Sequence, residues 1–487
     1  MSQAPMSPEN IRRITEAIAQ KLAGALPDPG APAAAMEKGA PPGVSLGDGV
    51  FSDLDSAAQA ARAAFLAMSG LGLERRKLIV EAMRAACRPQ AEPLARLAHE
   101  ETGLGRVEDK IQKNLLVTNK TPGCEDLAPI AQSGDNGLVL IEPAPFGVIG
   151  AITPVTNPSS TIICNAIGMV AAGNSVLFNA HPSAKRVSVA TIQLLNRAIV
   201  AAGGPPNLLT CIPEPSIQSA QALMKHKLVR LLVVTGGPQV VVAAMNSGKR
   251  AVCAGPGNPP AVVDATANLE KAGRDIVLGH SFDNNVICVD EKECIVVESV
   301  AEALKASMKK AGAVELKPSD LGRLEKVIFE KNAGPRGHAV VNRKFVGKNA
   351  SLILAELGIH AGPEARCVLV DVPNDHPLVW TEQMMPVLPL TRVKSVDEAI
   401  DLAYEAEDHC FHTATMHSHD LAALSKMAKR CNCSIFVKNG RAVAGLGHEG
   451  EGFTSFTIAS PTGEGLTSPR SFSRWRRCTI VDHFRIT

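Results

Sequence analysis

Four short apolar runs, separated by segments long enough to form helices, constrain the fold of this chain more than any other feature. The runs lie at 147–152, 175–178, 207–210 and 229–234, and upstream of them Asp53 precedes a helical pattern that it can cap. Such alternation is typical of buried strands in a parallel sheet whose faces are covered by helices. A nucleotide would lie across the ends of these strands. The sequence therefore predicts an α/β fold.

Length and composition narrow the class of protein. At 487 residues the chain is long enough for two or three domains. The formal net charge is +2 and aromatic residues make up 3%, so we expect no nucleic-acid surface. No apolar run approaches the roughly 20 residues that span a bilayer, and the N-terminus lacks the apolar core of a secretory signal. The 12 cysteines show no paired spacing, so we expect reduced thiols in a soluble, intracellular protein.

Residues 1–26 have the pattern of an amphipathic helix, and residues 27–46, rich in Pro, Ala and Gly, that of a linker. Ser7 and Pro8 suit a helix start. One face carries four aliphatic residues at spacings of three and four, namely Ile11, Ile14, Ile18 and Leu22. A helix this short barely forms alone in water, so it needs a partner. Docking on its own chain is one interpretation, but the linker favours a separate protein, and the face lacks the Trp or Phe of a membrane anchor.

Cys288 stands out among the 12 cysteines because of its surroundings. It follows the polar run Asp283–Asn285 and a Val-Ile pair with strand propensity, which suits a nucleophile at the mouth of a cleft. A thiol with the ordinary pKa of about 8.5 is only slightly ionised at neutral pH, so a catalytic cysteine needs nearby dipoles or positive charge. We therefore expect surroundings that expose and activate the thiolate. The alternative is a small apolar core residue.

Several further motifs accompany Cys288 in a fixed order. They are residues 100–109, 121–126, 251–260, 381–389 and 449–454. In this order and spacing the chain, from about Val50 onward, resembles the aldehyde dehydrogenase superfamily, and within it the CoA-acylating enzymes of bacterial microcompartments. The resemblance implies a Rossmann-type cofactor domain of residues 47–120 and 143–252, an α/β catalytic domain of residues 253–452, and a small β oligomerisation arm of residues 121–142 and 453–487.

A glycine turn is the predicted cofactor site. A literal GxGxxG occurs at 445–450, but residues 454–458 have a strand pattern, whereas the dinucleotide fingerprint opens a helix. Thr235, Gly236 and Gly237 instead follow a strand and precede a helix, where glycines let the backbone approach a pyrophosphate. The resemblance implies that they bind NAD together with Thr153, Pro154, His181, Pro182, Ser183 and Glu382. His181 and Ala184 stand where relatives often have Lys and an acidic ribose ligand, so NADP is not excluded.

The resemblance also implies a reaction. Cys288 would attack an aldehyde, Asn157 would hold the resulting oxyanion, and Glu382 would contact the nicotinamide ribose. Asn157, directly before a proline, also fits a plain turn residue. Hydrolytic relatives carry a general-base Glu where this chain has Cys253, so the thioester on Cys288 is expected to pass to CoA rather than to water. His412, in a His-Thr motif, is the candidate base.

Four histidines crowd residues 409–419 and raise the question of a metal. Their spacing is irregular and two of them lie in the predicted turn 416–420, so we expect no metal site.

The sequence thus predicts NAD-dependent oxidation of a short aldehyde to acyl-CoA, with propanal favoured over acetaldehyde by resemblance alone. The expected partners are CoA, a microcompartment shell protein bound through residues 7–25, and further copies of the chain. A dimer or tetramer is expected because residues 470–481 alternate like an open edge strand. The expected location is the cytoplasm, inside a microcompartment. The alternatives are a hydrolytic aldehyde dehydrogenase and an inactive shell-binding scaffold.

Overall fold

The computed structural model describes residues 45–486. The amphipathic helix predicted within residues 1–26 lies outside the described residues, and so does most of the predicted linker at 27–46. No helix in the described part of the chain is both long and apolar enough to cross a membrane.

Helices and strands alternate along most of the described chain. The helices, numbered in chain order, are α1 (Leu54–Ser69), α2 (Leu73–Cys87), α3 (Ala91–Thr102), α4 (Val107–Lys120), α5 (Pro158–Ala171), α6 (Lys185–Ala201), α7 (Ile217–Lys225), α8 (Pro238–Met245), α9 (Leu269–His280), α10 (Ala301–Lys310), α11 (Leu321–Ile328), α12 (Ala350–Glu356), α13 (Pro377–Trp380), α14 (Val396–Ala406) and α15 (Leu421–Cys431). The strands are β1 (Ser45–Gly47), β2 (Val50–Phe51), β3 (Ile130–Gly134), β4 (Gly137–Pro145), β5 (Val148–Ile152), β6 (Ser175–Asn179), β7 (Leu209–Cys211), β8 (Val229–Thr235), β9 (Ala251–Ala254), β10 (Pro260–Val263), β11 (Glu293–Val297), β12 (Ala313–Glu315), β13 (Phe329–Lys331), β14 (Val340–Val341), β15 (Cys367–Asp371), β16 (Val387–Val393), β17 (Thr413–His417), β18 (Ile435–Lys438), β19 (Ile458–Ala459), β20 (Gly465–Leu466) and β21 (Ser473–Val481).

The first sheet has seven strands in the order β1-β2-β7-β6-β5-β8-β9. From β7 to β9 neighbouring strands pair in parallel. Every residue of β5, of β6 and of the covering helix α5 is buried, as expected for a sheet covered on both faces. The four predicted strands are confirmed, with ends shifted by one or two residues.

The second sheet also has seven strands, in the order β12-β15-β16-β11-β10-β17-β18, and all its neighbours pair in parallel. Parallel pairing requires crossover connections, which the helices between these strands supply. This sheet carries the second half of the chain. The segments that precede the adjacent parallel strands β16, β11, β10 and β17 lie at one edge of it.

The third sheet is small and antiparallel, in the order β21-β4-β3. β21 lies at one edge, and its residues after Ser473 are exposed. They include Trp475 at 46% exposure and Val481 at 61%. Two short hairpins, β13-β14 and β19-β20, complete the strands of the described residues.

Two details differ from the sequence predictions. The Val-Ile pair before Cys288 lies in a turn that follows a 3-10 turn at Phe282–Asn285, not in a strand. Residues 454–458 are irregular up to the two-residue strand β19. In both places the chain is buried by tertiary contacts, which override local β propensity.

Candidate active site

Cys288 lies in a tightly constrained loop between α9 and β11. Three consecutive residues before it, Asp283, Asn284 and Asn285, have φ of 47°, 56° and 66°. Residues other than glycine avoid this left-handed region unless surrounding contacts enforce it. The loop packs through Ile287 and Val289 on the core that covers the first sheet, while β11, which follows the loop, belongs to the second sheet. Cys288 therefore lies between the two large sheets.

Buried cations from α4 hold the start of this loop. Lys110 Nζ donates to the Asp283 carboxylate at 2.9 Å, Lys113 Nζ donates to the same oxygen, and the backbone N–H of Arg106 donates to Asp283 at 2.6 Å. Burial opposes ionisation of Asp283, but the two lysines outweigh burial and lower its pKa. A Cβ on Gly105 would lie 1.9 Å from the same carboxylate, so glycine is required there.

A third buried lysine holds the other end of the loop. Lys292 Nζ donates to the carbonyl of Asn285 at 3.0 Å, to its Oδ1 at 2.7 Å, and to the carbonyl of Ile287 at 3.1 Å. These three bonds satisfy the ammonium group without a carboxylate. Lys292 also lies close enough to Cys288 to lower the pKa of the thiol.

The Cys288 thiol is nevertheless harder to ionise than an ordinary thiol. Its side chain is half-buried. Burial, followed by the negative charge of Glu382, raises its pKa to about 12, against the opposing effect of Lys292. The expectation of an activated thiolate is therefore wrong for the resting site. The thiol is protonated at neutral pH, and a base must remove the proton during attack.

His412 is a neutral imidazole that lies near the Cys288 backbone, across Gly257. It directly precedes β17 and is fully buried. Its Nδ1 lies 2.8 Å from Thr413 Oγ1, and its Nε2 has no hydrogen-bond partner among the described residues. Burial, and then Lys292, lower its pKa to about 4, so the ring can accept a proton at pH 7.

Gly257 lies between the candidate catalytic groups. A Cβ at this position would lie 2.9 Å from His412 Cγ and 3.0 Å from the carbonyl oxygen of Cys288. Burial raises the pKa of the Glu382 carboxyl, while Lys292 and the backbone N–H of Gly257 lower it. The structure therefore brings Cys288, His412 and Glu382 together around one glycine.

Asn157 lies at the edge of this group, at the N-terminal cap of α5. Its Oδ1 accepts a hydrogen bond of 2.6 Å from Lys113 Nζ, and its Nδ2 lies 3.1 Å from Thr156 Oγ1. Lys113 also bonds Asp283, five residues before Cys288, so one buried cation joins Asn157 to the nucleophile loop.

The predicted cofactor residues follow three adjacent strands of the first sheet. Thr153 and Pro154 follow β5, residues 181–183 follow β6, and Gly236 and Gly237 follow β8, where Thr235 is the last residue. These carboxyl ends meet at one edge of the sheet, where nucleotides bind in folds of this class.

The residues at this edge fit a dinucleotide. The buried Thr153 Oγ1 has no hydrogen-bond partner among the described residues, and a Cβ on Gly237 would meet nothing within 4 Å. The N-terminus of α8, which begins at Pro238, directs free N–H groups toward the same turn. His181 Nδ1 accepts from the Ser183 N–H at 3.1 Å and so holds its own turn closed.

Cys253, which stands where hydrolytic relatives have a general base, is a fully buried residue of β9. Its backbone N–H donates to Thr462 Oγ1 at 3.0 Å. Burial, then Glu464, raise the pKa of the thiol to about 11, so this position supplies no base at neutral pH.

Three functional residues, Lys110, Lys113 and Lys292, were not predicted from the sequence. Lysines are rarely fully buried, so nothing in their identity marked them. A signal did exist on α4, because Lys110, Lys113 and Val117 recur at spacings of three and four and form a buried face of the helix.

The four clustered histidines do not converge on one point. His412 directly precedes β17 and His417 is its last residue, while His409 and His419 are exposed. Residues 45–486 contain no group of three or more His, Cys, Asp or Glu side chains arranged to hold a metal ion.

Comparison with known proteins gives consistent relatives. The model of the aldehyde dehydrogenase family matches residues 45–454. Acetaldehyde dehydrogenase (acetylating) EutE of Salmonella typhimurium is 50% identical over 439 residues, which cover 90% of this chain and 93% of the relative. The structure of Rhodopseudomonas palustris propionaldehyde dehydrogenase, with bound CoA and an acylated cysteine, superposes with a TM-score of 0.87 at 49% identity, covering 90% of this chain and 99% of the other. A propionaldehyde dehydrogenase from the fucose utilisation bacterial microcompartment of Clostridium phytofermentans gives a TM-score of 0.87 at 44% identity, covering 90% and 100%.

Proposed function

The chain belongs to the aldehyde dehydrogenase family, and on that premise we propose that it oxidises a short aliphatic aldehyde to the acyl-CoA thioester, with Cys288 as nucleophile. The observation that carries the proposal is the arrangement of Cys288, His412 and Glu382 around Gly257. The acylated cysteine of the Rhodopseudomonas palustris structure supports a thioester intermediate in such a site.

In the first step, Cys288 Sγ forms a bond to the aldehyde carbon and loses its proton. We assign His412 as the base, because it lies near Cys288 across Gly257, its ring is neutral at pH 7 and its Nε2 is free of other hydrogen bonds among the described residues. The oxygen of the former carbonyl becomes negatively charged. We assign Asn157 Nδ2 as a donor to it, a type of contact whose loss costs other enzymes roughly 10²–10³-fold in rate.

A bound nicotinamide cofactor would supply the hydride acceptor for the aldehyde carbon. Residues 153–154, 181–183 and 235–237 would hold it at the edge of the first sheet, and Glu382 would contact its ribose. What remains on the protein is a thioester of Cys288, which has lost two electrons relative to the aldehyde adduct.

The acyl group is then transferred from Cys288 to CoA. Cys253 offers no carboxylate to activate water, whereas a thiol is a strong nucleophile once deprotonated. His412 first releases the proton it took from Cys288 to solvent and then takes the proton of the CoA thiol. The CoA sulfur forms a bond to the acyl carbon, the bond from that carbon to Cys288 Sγ breaks, and the Cys288 thiolate regains a proton from His412. The free energy of oxidation is kept in the acyl-CoA product.

NADH formation with and without CoA tests this function. Purified protein with propanal and NAD should turn over only when CoA is present, and mass spectrometry should find one propionyl-CoA per NADH. Cys288→Ala should abolish turnover, whereas Cys410→Ala, which changes another half-buried cysteine, should not. Sustained turnover without CoA, giving free acid, would instead establish the hydrolytic reaction. Acetaldehyde measured beside propanal decides the preferred chain length, since one methylene is worth only about 1–3 kcal/mol.

We further infer that the protein works as a homo-oligomer inside a microcompartment. The relative from a fucose utilisation microcompartment supports the location. The exposed β21 edge, with Trp475 and Val481, supports pairing between copies. A shell protein is expected to bind residues 7–25. Removing residues 1–26 should leave catalysis unchanged and abolish encapsulation, and a loss of activity would instead favour docking of that helix on its own chain.

A further inference from the structure

Lys113 is a buried lysine with two polar contacts, and each contact belongs to a different part of the candidate site. Its side chain is 1% exposed. Nζ donates to Asn157 Oδ1 at 2.6 Å and to the carboxylate of Asp283. Asn157 caps α5 in the cofactor domain, whereas Asp283 starts the loop that carries Cys288.

The contact with Asn157 fixes which end of the amide faces the lysine. An ammonium group has three donors and no acceptor, so only Oδ1 can face it favourably. In the flipped orientation the NH₂ group would face Nζ, donor against donor, in a site without solvent. Nδ2 is therefore directed away from Lys113, and in the resting structure it lies 3.1 Å from Thr156 Oγ1, an exchangeable partner.

The contact with Asp283 fixes where that amide stands relative to the nucleophile. Asp283 has φ of 47° and begins three left-handed residues that end three residues before Cys288. Because Lys113 Nζ bonds both Asn157 and Asp283, it fixes the distance between the Asn157 amide and the loop that carries Cys288.

We propose that Lys113 is a positioning residue for the acylation step: it orients the Asn157 amide so that Nδ2 can donate to the oxyanion, and it ties that amide to the loop of Cys288. The proposal rests on the proposed function, because it gives Asn157 the oxyanion-binding role assumed there.

Lys110 provides a matched comparison. It lies on the same helix, is also buried, and donates to the same Asp283 oxygen at 2.9 Å. Its other bond, at 3.4 Å, goes to the backbone carbonyl of Thr156 and leaves the Asn157 side chain untouched. Lys110→Met therefore removes a buried cation beside Asp283 while leaving the orientation of the amide intact.

The test is the single-turnover burst of NADH from propanal and NAD without CoA, which reports acylation of Cys288 alone. Lys113→Met should slow the burst about 100-fold, the size expected for a misplaced oxyanion donor, with unchanged NAD binding. Lys110→Met also loses a cation beside Asp283 but keeps the contact with Asn157, so it should slow the burst clearly less than Lys113→Met does. Both variants should melt at a lower temperature than wild type.

A double-mutant cycle separates orientation from general damage. If Lys113 acts through Asn157, adding Lys113→Met to Asn157→Ala should slow the burst no more than Lys110→Met slows wild type, which is the cost of losing one cation beside Asp283. Losses that multiply, an equal loss in Lys110→Met, or a normal burst in Lys113→Met would each overturn the proposal. If Lys113→Met does not fold, Lys113→Arg keeps a cation beside Asp283 and displaces the present donor, and the same cycle is measured with it.

The wild-type burst separates this proposal from the function on which it rests. A wild-type protein that forms no NADH overturns both. If Lys113→Met gives a burst as fast as that of wild type, only the proposed role of Lys113 is overturned, and the proposed function stands.

Discussion

At the scale of single residues, the nucleophile and its base are both uncharged in the resting site. The pKa of Cys288 is about 12 and that of His412 is about 4, so neither is ionised at pH 7. A thiolate–imidazolium pair is therefore disfavoured before substrate arrives. Bond formation to the aldehyde and loss of the thiol proton must occur together, which protects Cys288 from other electrophiles.

This protection is measurable by alkylation. Iodoacetamide should modify Cys288 slowly at pH 7, with a rate that keeps rising through pH 10, because little thiolate forms below its pKa. Mass mapping isolates the Cys288 peptide, and N-acetylcysteine added to the same solution serves as the reference thiol. A plateau in the Cys288 rate below pH 8 would contradict the raised pKa.

His412 should be needed for turnover. Replacing it with Gln keeps a neutral polar side chain but removes the base, so CoA-dependent turnover should fall roughly 100-fold or more. His409→Gln, which changes an exposed histidine of the same segment, is the control and should be near wild type. In the wild type, protonation of His412 should reduce activity only near pH 4 to 5. An acid limb near pH 6.5 would mean that another group is the base.

At the scale of elements, the nucleophile loop is joined to the turn that follows β18 through Glu291. Its Oε1 accepts from the Ala442 N–H at 2.7 Å, and its Oε2 has no hydrogen-bond partner among the described residues. Burial, partly offset by backbone hydrogen bonds, raises its pKa to about 8. A protonated carboxyl suits this arrangement, because it can remain buried without a charge.

This carboxyl makes stability depend on pH. Its pKa in the folded protein, about 8, lies above the ordinary value of 4.5, so its stabilising effect is complete below pH 4.5 and is lost as the pH rises through 8. The melting temperature of wild type should therefore fall between about pH 5 and 8 and level off at higher pH. Glu291→Gln should fall less over the same range, and Glu298→Gln, at an exposed site, should follow wild type. Parallel curves for all three proteins would rule out this role of Glu291.

Local signals predicted some elements and missed others for a physical reason. Asp53 caps α1, accepting from the Ser56 N–H at 2.9 Å, and a cap depends on only a few neighbouring residues. The left-handed loop at 283–285 depends instead on Lys110 and on Gly105, which are distant in sequence. The sequence could nominate Cys288, His412 and Glu382, but not the buried lysines that arrange and polarise them.

At the scale of the whole molecule, each of the three sheets has a different proposed role. The first presents a nucleotide edge, the second carries the loops of the reacting groups, and the third exposes the edge of β21. The α/β class and the positions of the four predicted strands followed from periodicity. The resemblance implied an α/β catalytic domain at 253–452, but the seven-stranded order of its sheet was not predicted, because its crossovers are too varied to read from spacing alone.

The edge of β21 should govern assembly. Ile480 is 40% exposed on this strand, and a charge there should weaken pairing between copies. Light scattering of Ile480→Glu should show a smaller particle than wild type. Leu421→Glu, which places the same charge at a 77% exposed position on α15, should leave the mass unchanged. An unchanged mass in Ile480→Glu would place the interface elsewhere.

The bond between Lys110 and Asp283 also has a consequence for biosynthesis. The two residues are 173 positions apart in the chain. At translation rates of about 5–20 residues per second, α4 leaves the ribosome roughly 10–35 s before the carboxylate that neutralises its lysines has been made. A nascent chain therefore carries these cations uncompensated, and Cys288 cannot reach its final geometry until the second half has docked. The ability to form a reactive thioester is thus acquired late, by a nearly complete molecule.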